Sequence, residues 1–289
     1  MLRYRDEAGL CGCQLGSNDT INDHRKLKFK VYKVSTEGIV HRVDKLPKKL
    51  MKEPLIDAVF EIRFQSHVPA SNVLPGFLFG ELDGEKTIHQ LPIGKIPQDI
   101  RNAESNLIFS PVFQLLWEKF VISIGDRSLV IGCKFPYPGW DVFKISILRI
   151  VEIVKRVKII QSVQRFSMKY TDILPSGDLS EQISMINMSI SIGENIEKGN
   201  FSLKVEIPDD RFIHLVSVIS SAHVKLQDSS KREGIVIDID TVSNMDAQDF
   251  NLWAEQLPKN LEIIHKANKI MFFKCLHPQT ITDLEPVYD

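Results

Sequence analysis

No uninterrupted apolar run in this chain approaches the roughly 18 residues that a membrane-spanning helix needs, so no such helix is expected. Cysteine is scarce. Cys11 and Cys13 are separated by one residue, closer than the usual zinc-knuckle spacing, while Cys133 and Cys275 lie in apolar stretches. That usage argues against a disulfide framework and fits a reduced, cytoplasmic protein. Residues 1–7 contain no apolar h-region, and no secretion signal is expected. The chain also lacks a GxSxG elbow, a dinucleotide-binding fingerprint, a CxxC pair and an HExxH motif. Its eight histidines are scattered, none at i, i+4 spacing to another. No nucleophile–base pair can be assembled, and neither cofactor nor metal is expected.

Net charge is nearly absent too, but the near-zero total hides an asymmetry. Residues 1–50 hold 11 Lys/Arg against 6 Asp/Glu, whereas residues 51–289 hold 25 against 31. A basic arm therefore precedes an acidic body. Duplex binding rests on phosphate neutralisation, which an acidic body does poorly, so nucleic acid is not an expected partner. The arm reads as a solvated extension.

What the chain does have is alternation. Residues 1–44 show no sustained period and are read as a basic N-terminal extension. Val59-Phe60-Glu61-Ile62-Arg63-Phe64 then alternates as a half-buried strand, with Phe60, Ile62 and Phe64 facing a core. Residues 66–105 are rich in Pro and Gly, with a short helix expected around Leu74–Leu82. Phe120–Gly125 and Ser128–Phe135 flank Asp126-Arg127 as a hairpin. A helix is predicted from Trp140 to about Ile160, with Phe143, Ile147, Ile150, Val151 and Val154 on one face. A strand over Ser162–Asp172 closes an N-terminal half, residues 45–175.

The C-terminal half, 176–289, opens with two alternating stretches, Ile186–Ile192 and Phe201–Ile207, read as an antiparallel hairpin. Strands over Phe212–Leu226 and Gly234–Thr241 follow. A long helix, Asp246–Leu276, ends the chain, with Pro258 expected to kink or divide it. Hairpin-joined strands with segregated helices indicate an α+β fold, mostly antiparallel, in two related halves with one long helix each.

Pro54-Leu-Ile-Asp-Ala-Val-Phe-Glu-Ile-Arg-Phe64 resembles the opening motif of a sporadically distributed prokaryotic family of uncharacterised proteins. Arg165-Phe-Ser-Met-Lys-Tyr170 is similar to its second motif, although Thr171-Asp172 stand where that family typically has Ile-Asn. Ile237-Asp-Ile-Asp240 is similar to a third, and His265 with Phe272 matches the terminal helix. The resemblance spans about residues 45–280 and implies an accessory protein of patchy genomic occurrence.

Two motifs suggest chemistry at first sight. Gly80 to Thr87 approaches a phosphate-binding loop, but Glu85 stands where glycine must precede the lysine and would repel phosphate. Asp238 and Asp240, two apart on a strand, project from one face about 7 Å apart and could hold a cation or act as acid and base. Solvated strand carboxylates beside lysines are the simpler account. Glu61, Arg63, Arg165, Lys169, Lys204, Glu206, Asp238 and Asp240 share the polar phase of their strands, with Tyr170 and Trp140 placed near the rim of that face. Glu61, Arg63, Arg165, Lys169, Tyr170, Asp238 and Asp240 are the candidate binding residues.

Two functions follow. One is a non-enzymatic interaction or regulatory protein, in the manner of a defence or toxin–antitoxin accessory, that recognises another protein through the charged sheet face. Self-association is compatible with it. The alternative is a small-molecule-binding α+β domain, or an enzyme, with its site on the same face.

Overall fold

The computed structural model describes residues 46–193, 195–196, 199–226 and 228–288. The extension 1–44 expected from composition lies outside the described residues.

The fold begins with β1 (Leu55–Ser66), whose strict alternation buries Ile56, Ala58, Phe60, Ile62 and Phe64 on one face. Helix α1 (Leu74–Glu81) follows, then β2 (Lys86–Gln90), β3 (Pro111–Trp117), β4 (Phe120–Gly125) and β5 (Ser128–Cys133). The β4–β5 hairpin turns at Asp126 as expected. Asp126 is itself buried, held by Arg101 Nε at 2.9 Å and by the Ser71 hydroxyl, which ties the Pro/Gly-rich stretch to the sheet. That stretch is not all loop: it contributes α1, β2 and a short helix over Gln98–Ala103.

Helix α2 (Trp140–Val157) starts at Gly139, whose φ of +93° and ψ of 158° lie in a region only glycine adopts freely. Next come β6 (Ile160–Pro175), α3 (Leu179–Met185), β7 (Ser202–Asp209), β8 (Phe212–Lys225), β9 (Lys231–Ser243) and α4 (Phe250–Cys275).

These nine strands join one antiparallel sheet in the order β7-β8-β9-β6-β1-β5-β4-β3-β2, with Gln248–Asp249 as a tenth beside β6; outside it, Lys49–Leu50 pairs with Pro286–Val287. The fold is therefore α+β, and its sheet runs through both halves of the chain. Helices α1, α2 and α4 lie on one face, where Phe60, Ile62, Phe64, Phe143, Ile147, Phe166, Met168 and Trp253 form the main core. A smaller cluster around Ile235, Ile237 and Ile239 of β9 meets Met271 and Phe273 of α4.

Two expectations are corrected. The hairpin between Ile186–Ile192 and Phe201–Ile207 does not form: β7 pairs with β8 over its whole length instead. Asp178 caps α3 by accepting from the Glu181 backbone N–H at 2.8 Å, so helix runs up to the alternating stretch. Ile186 makes a bridge to Leu276, and Ser191–Ile192 pairs only with the adjacent Asn195–Ile196. Secondly, Pro258 does not divide α4. It sits on the helix's exposed side, where water can satisfy the carbonyl that loses its partner.

Candidate functional site

The polar phase of the sheet does converge. Arg63 on β1 stands opposite Arg165 on β6, and Glu61 lies between them, 2.7 Å from Arg63 Nε and 3.5 Å from Arg165. One strand further, Lys169 lies 2.8 Å from Asp238 Oδ2 on β9, which also accepts from the Thr171 hydroxyl at 2.9 Å. Burial works to lower the Lys169 pKa, yet the carboxylates of Asp238, Asp240 and Asp57 together outweigh it and the ammonium is held above its usual range. Asp240 stands across from Lys169. Burial raises its carboxyl pKa, with Glu61 adding repulsion, and its Oδ1 has no hydrogen-bond partner. Arg165 Nε is likewise buried without one. The Lys169 ammonium occupies the place beside Asp238 that a cation bound by the aspartate pair would need. Among the described residues, no group of three His, Cys, Asp or Glu side chains converges as a metal site. Lys204 and Glu206 sit apart, on the exposed edge strand β7.

Tyr170 does not join this face. In the β6 alternation it shares the phase of Phe166 and Met168 and points under the helices. It lines a cavity of about 220 Å³ between the segment leading into β1, the loop before α2, strand β6 and helix α4. Local sequence explains each wall. Positions 265, 268, 269 and 272 form one stripe of α4, which brings His265, Asn268, Lys269 and Phe272 to the cavity. The turn at Gly139 places Tyr137 and Trp140 on the second side. Asn268 anchors the helix by donating to the carbonyls of Met168 at 3.0 Å and Ile239 at 2.8 Å.

The interior of the cavity is chemically unusual. Trp140 stacks on His265 with ring centres 3.9 Å apart and planes 8° from parallel. Burial lowers the His265 pKa to about 4, helped by the nearby Lys269 charge. The imidazole is therefore neutral, and its Nδ1 shares a hydrogen bond of 3.0 Å with the Tyr170 hydroxyl. Tyr137 meets Tyr170 edge-on, and its own hydroxyl is buried without a well-formed hydrogen bond. Asp172, only 6% exposed, also lines the cavity. Burial holds its carboxyl well above the usual range, and the charges of Glu53 and Asp238 push the same way. Glu53, an exposed residue of the lining, is also raised, by partial burial. Among the described residues, neither carboxyl is hydrogen-bonded or ion-paired.

Comparison with known proteins finds no matching family model and no matching curated relative. The site speaks through its chemistry alone. Sequence reasoning points to the polar face and misses the cavity, because Asp172 stands at the very end of the strand read over Ser162–Asp172. The available signal was its parity: after Phe166, Met168 and Tyr170, a carboxyl in the same phase has to enter the core. Of the residues that carry the sequence resemblance, Pro54, Leu55, Tyr170, His265 and Phe272 line this cavity, while Glu61, Arg63, Arg165, Lys169 and Asp238 lie on the polar face.

Proposed function

We propose that the protein is a ligand-recognition module that encloses a small organic molecule in the cavity beneath α4. One observation carries this reading: the buried Tyr137 hydroxyl, which lacks a well-formed hydrogen bond, and the buried Asp172 carboxyl both line a ring-walled cavity. An unsatisfied buried polar group costs about 1–3 kcal/mol, and a ligand that bonds to it recovers that loss. The void is below the roughly 300–1,000 Å³ typical of drug-sized sites, so the ligand is small. Replacing Trp140 by Ala should abolish ligand-induced stabilisation while leaving the fold intact, since Trp140 is partly exposed. Thermal shift of the full chain against a fragment set of single-ring compounds tests this. Failure of every compound to raise the melting temperature would count against it.

A second reading, recognition of another protein through the polar face, draws on Arg165 Nε and Asp240 Oδ1, both buried there and unpartnered. Both readings suit a cytoplasmic accessory or regulatory protein, including one acting in defence or toxin–antitoxin systems. The charges of α2 do not favour nucleic acid: Lys144, Arg149 and Arg156 pair with Glu262, Asp83 and Glu81.

A further inference from the structure

We propose that the sheet continues into a second copy of this chain through its edge strand β7, the two strands pairing antiparallel about a two-fold axis at Val205. Among the described residues no strand lies beyond β7 in the sheet, and Ser202, Lys204, Val205, Glu206 and Pro208 are all exposed. Which backbone groups this edge leaves free follows from its pairing with β8. Phe201, just before β7, donates its N–H to the Ser220 hydroxyl at 2.8 Å and accepts from the Ser220 N–H at 3.1 Å, so both its groups point toward β8. Alternation then turns the backbone of Leu203, Val205 and Ile207 toward β8 as well, and that of Ser202, Lys204 and Glu206 outward. Pro208 shares the outward phase but offers only its carbonyl.

The order of charges selects the register. A two-fold pairing must set residues of the outward phase opposite one another, because only they can exchange hydrogen bonds. With the axis at Val205, Lys204 of each copy faces the partner's Glu206, and Ser202 donates to the carbonyl of the partner's Pro208. An axis at Lys204 would set the two lysines against each other, and an axis at Glu206 the two glutamates. Opposite charges across a strand pair stabilise it and like charges destabilise it. A lysine alone on an edge discourages pairing. Followed two residues on by a glutamate, it directs pairing to one register. On the other side of the strand, Val205, which is 40% exposed, meets the partner's Val205, and Leu203 meets the partner's Ile207. These contacts extend the apolar phase that Val216 and Val218 begin on β8.

A single strand pair is smaller than a standard interface, so the test is sedimentation velocity of the full chain from about 1 to 300 µM. Monomer should convert to dimer across this range. Amide exchange at Ser202, Lys204 and Glu206 should slow as the dimer forms, whereas the Leu203 and Val205 amides, bonded to β8, should be protected at every concentration. Lys204→Glu and Glu206→Lys each turn both opposite-charge pairs into like-charge pairs, and each should weaken the dimer at least about ten-fold. The double exchange, Lys204→Glu with Glu206→Lys, should restore it. Both side chains are exposed, so these variants should fold, with circular dichroism as the check. Should one fail, the amide protection of the unaltered chain decides. A monomer throughout the range, a dimer that leaves the outward amides unprotected, or a double variant no tighter than the single ones overturns the proposal. Growth into longer assemblies does so too, since it would mean that β7 pairs with the partner's β2, a contact that does not close.

Discussion

Two buried titratable side chains give the cavity opposite responses to pH. His265 is neutral in the folded chain, with a pKa of about 4 against about 6.5 unfolded. Below pH 6.5 the unfolded chain therefore takes up a proton that the folded ring refuses, and stability is lost as pH falls to about 4. The loss is on the order of 3 kcal/mol for a shift of this size. His265→Gln should flatten that part of the profile, measured by urea unfolding at pH 7 and pH 4.5. Asp172 behaves in reverse. Its raised pKa makes the protonated form the folded one, so its contribution is present below about pH 4 and drains away as pH rises. Asp172→Asn should raise the melting temperature by at least about 2 °C at pH 8, with the gain shrinking toward zero at pH 4. A gain that is larger at pH 4 would mean the carboxyl is ionised and paired.

Among the elements, β1 and α2 were the most readable. Strict alternation in β1 and the i, i+4, i+7 spacing of α2 each state which face is buried, and both faces are buried as read. The pairing of β7 was not readable. Ile186–Ile192 and Phe201–Ile207 have the same period, and period says nothing about which neighbour a strand chooses. The longer apolar phase of β8, with Val216 and Val218 in the core, settles the choice. Within β1, Ile62→Asp should abolish soluble expression, while Arg63→Ala should cost under about 1 kcal/mol, because its ion pair is partly exposed. At the head of α2, Gly139→Ala meets no atom within 4 Å, so its cost is the backbone alone. A loss of about 1–3 kcal/mol is expected, read as a lower urea midpoint at unchanged slope. The variant should also bind ligand less well, since the same turn aims Tyr137 and Trp140. Candidate residues follow the same division. Glu61, Arg63, Arg165, Lys169, Asp238 and Asp240 were legible as one surface because parity alone assembles them. The cavity requires α4 to meet β6, a long-range contact that no local pattern contains.

At the scale of the whole molecule, residues 45–175 and 176–289 supply strands to a single sheet that changes hands at β6. No helix among the described residues is long and apolar enough to cross a membrane. Strand β6 is bordered by β1 of one half and β9 of the other. A fragment ending at Pro175 would leave that edge unpaired and uncover Phe166 and Met168, which Trp253 and its neighbours on α4 shield. Such a fragment should be recovered only in the insoluble fraction, and co-expression of 176–289 should rescue it if the pieces assemble. Soluble, cooperatively unfolding 45–175 would show instead that the halves are independent.

Strand β6 is also read from both sides at once. Arg165, Lys169 and Thr171 serve the polar face, while Met168, Tyr170 and Asp172 serve the core and the cavity. A point substitution disturbs one surface. An insertion or deletion of one residue within Ile160–Pro175 exchanges the two, driving lysine and arginine under the helices and turning tyrosine and aspartate to the opposite side. Drift in this strand is therefore confined to replacements that conserve its length.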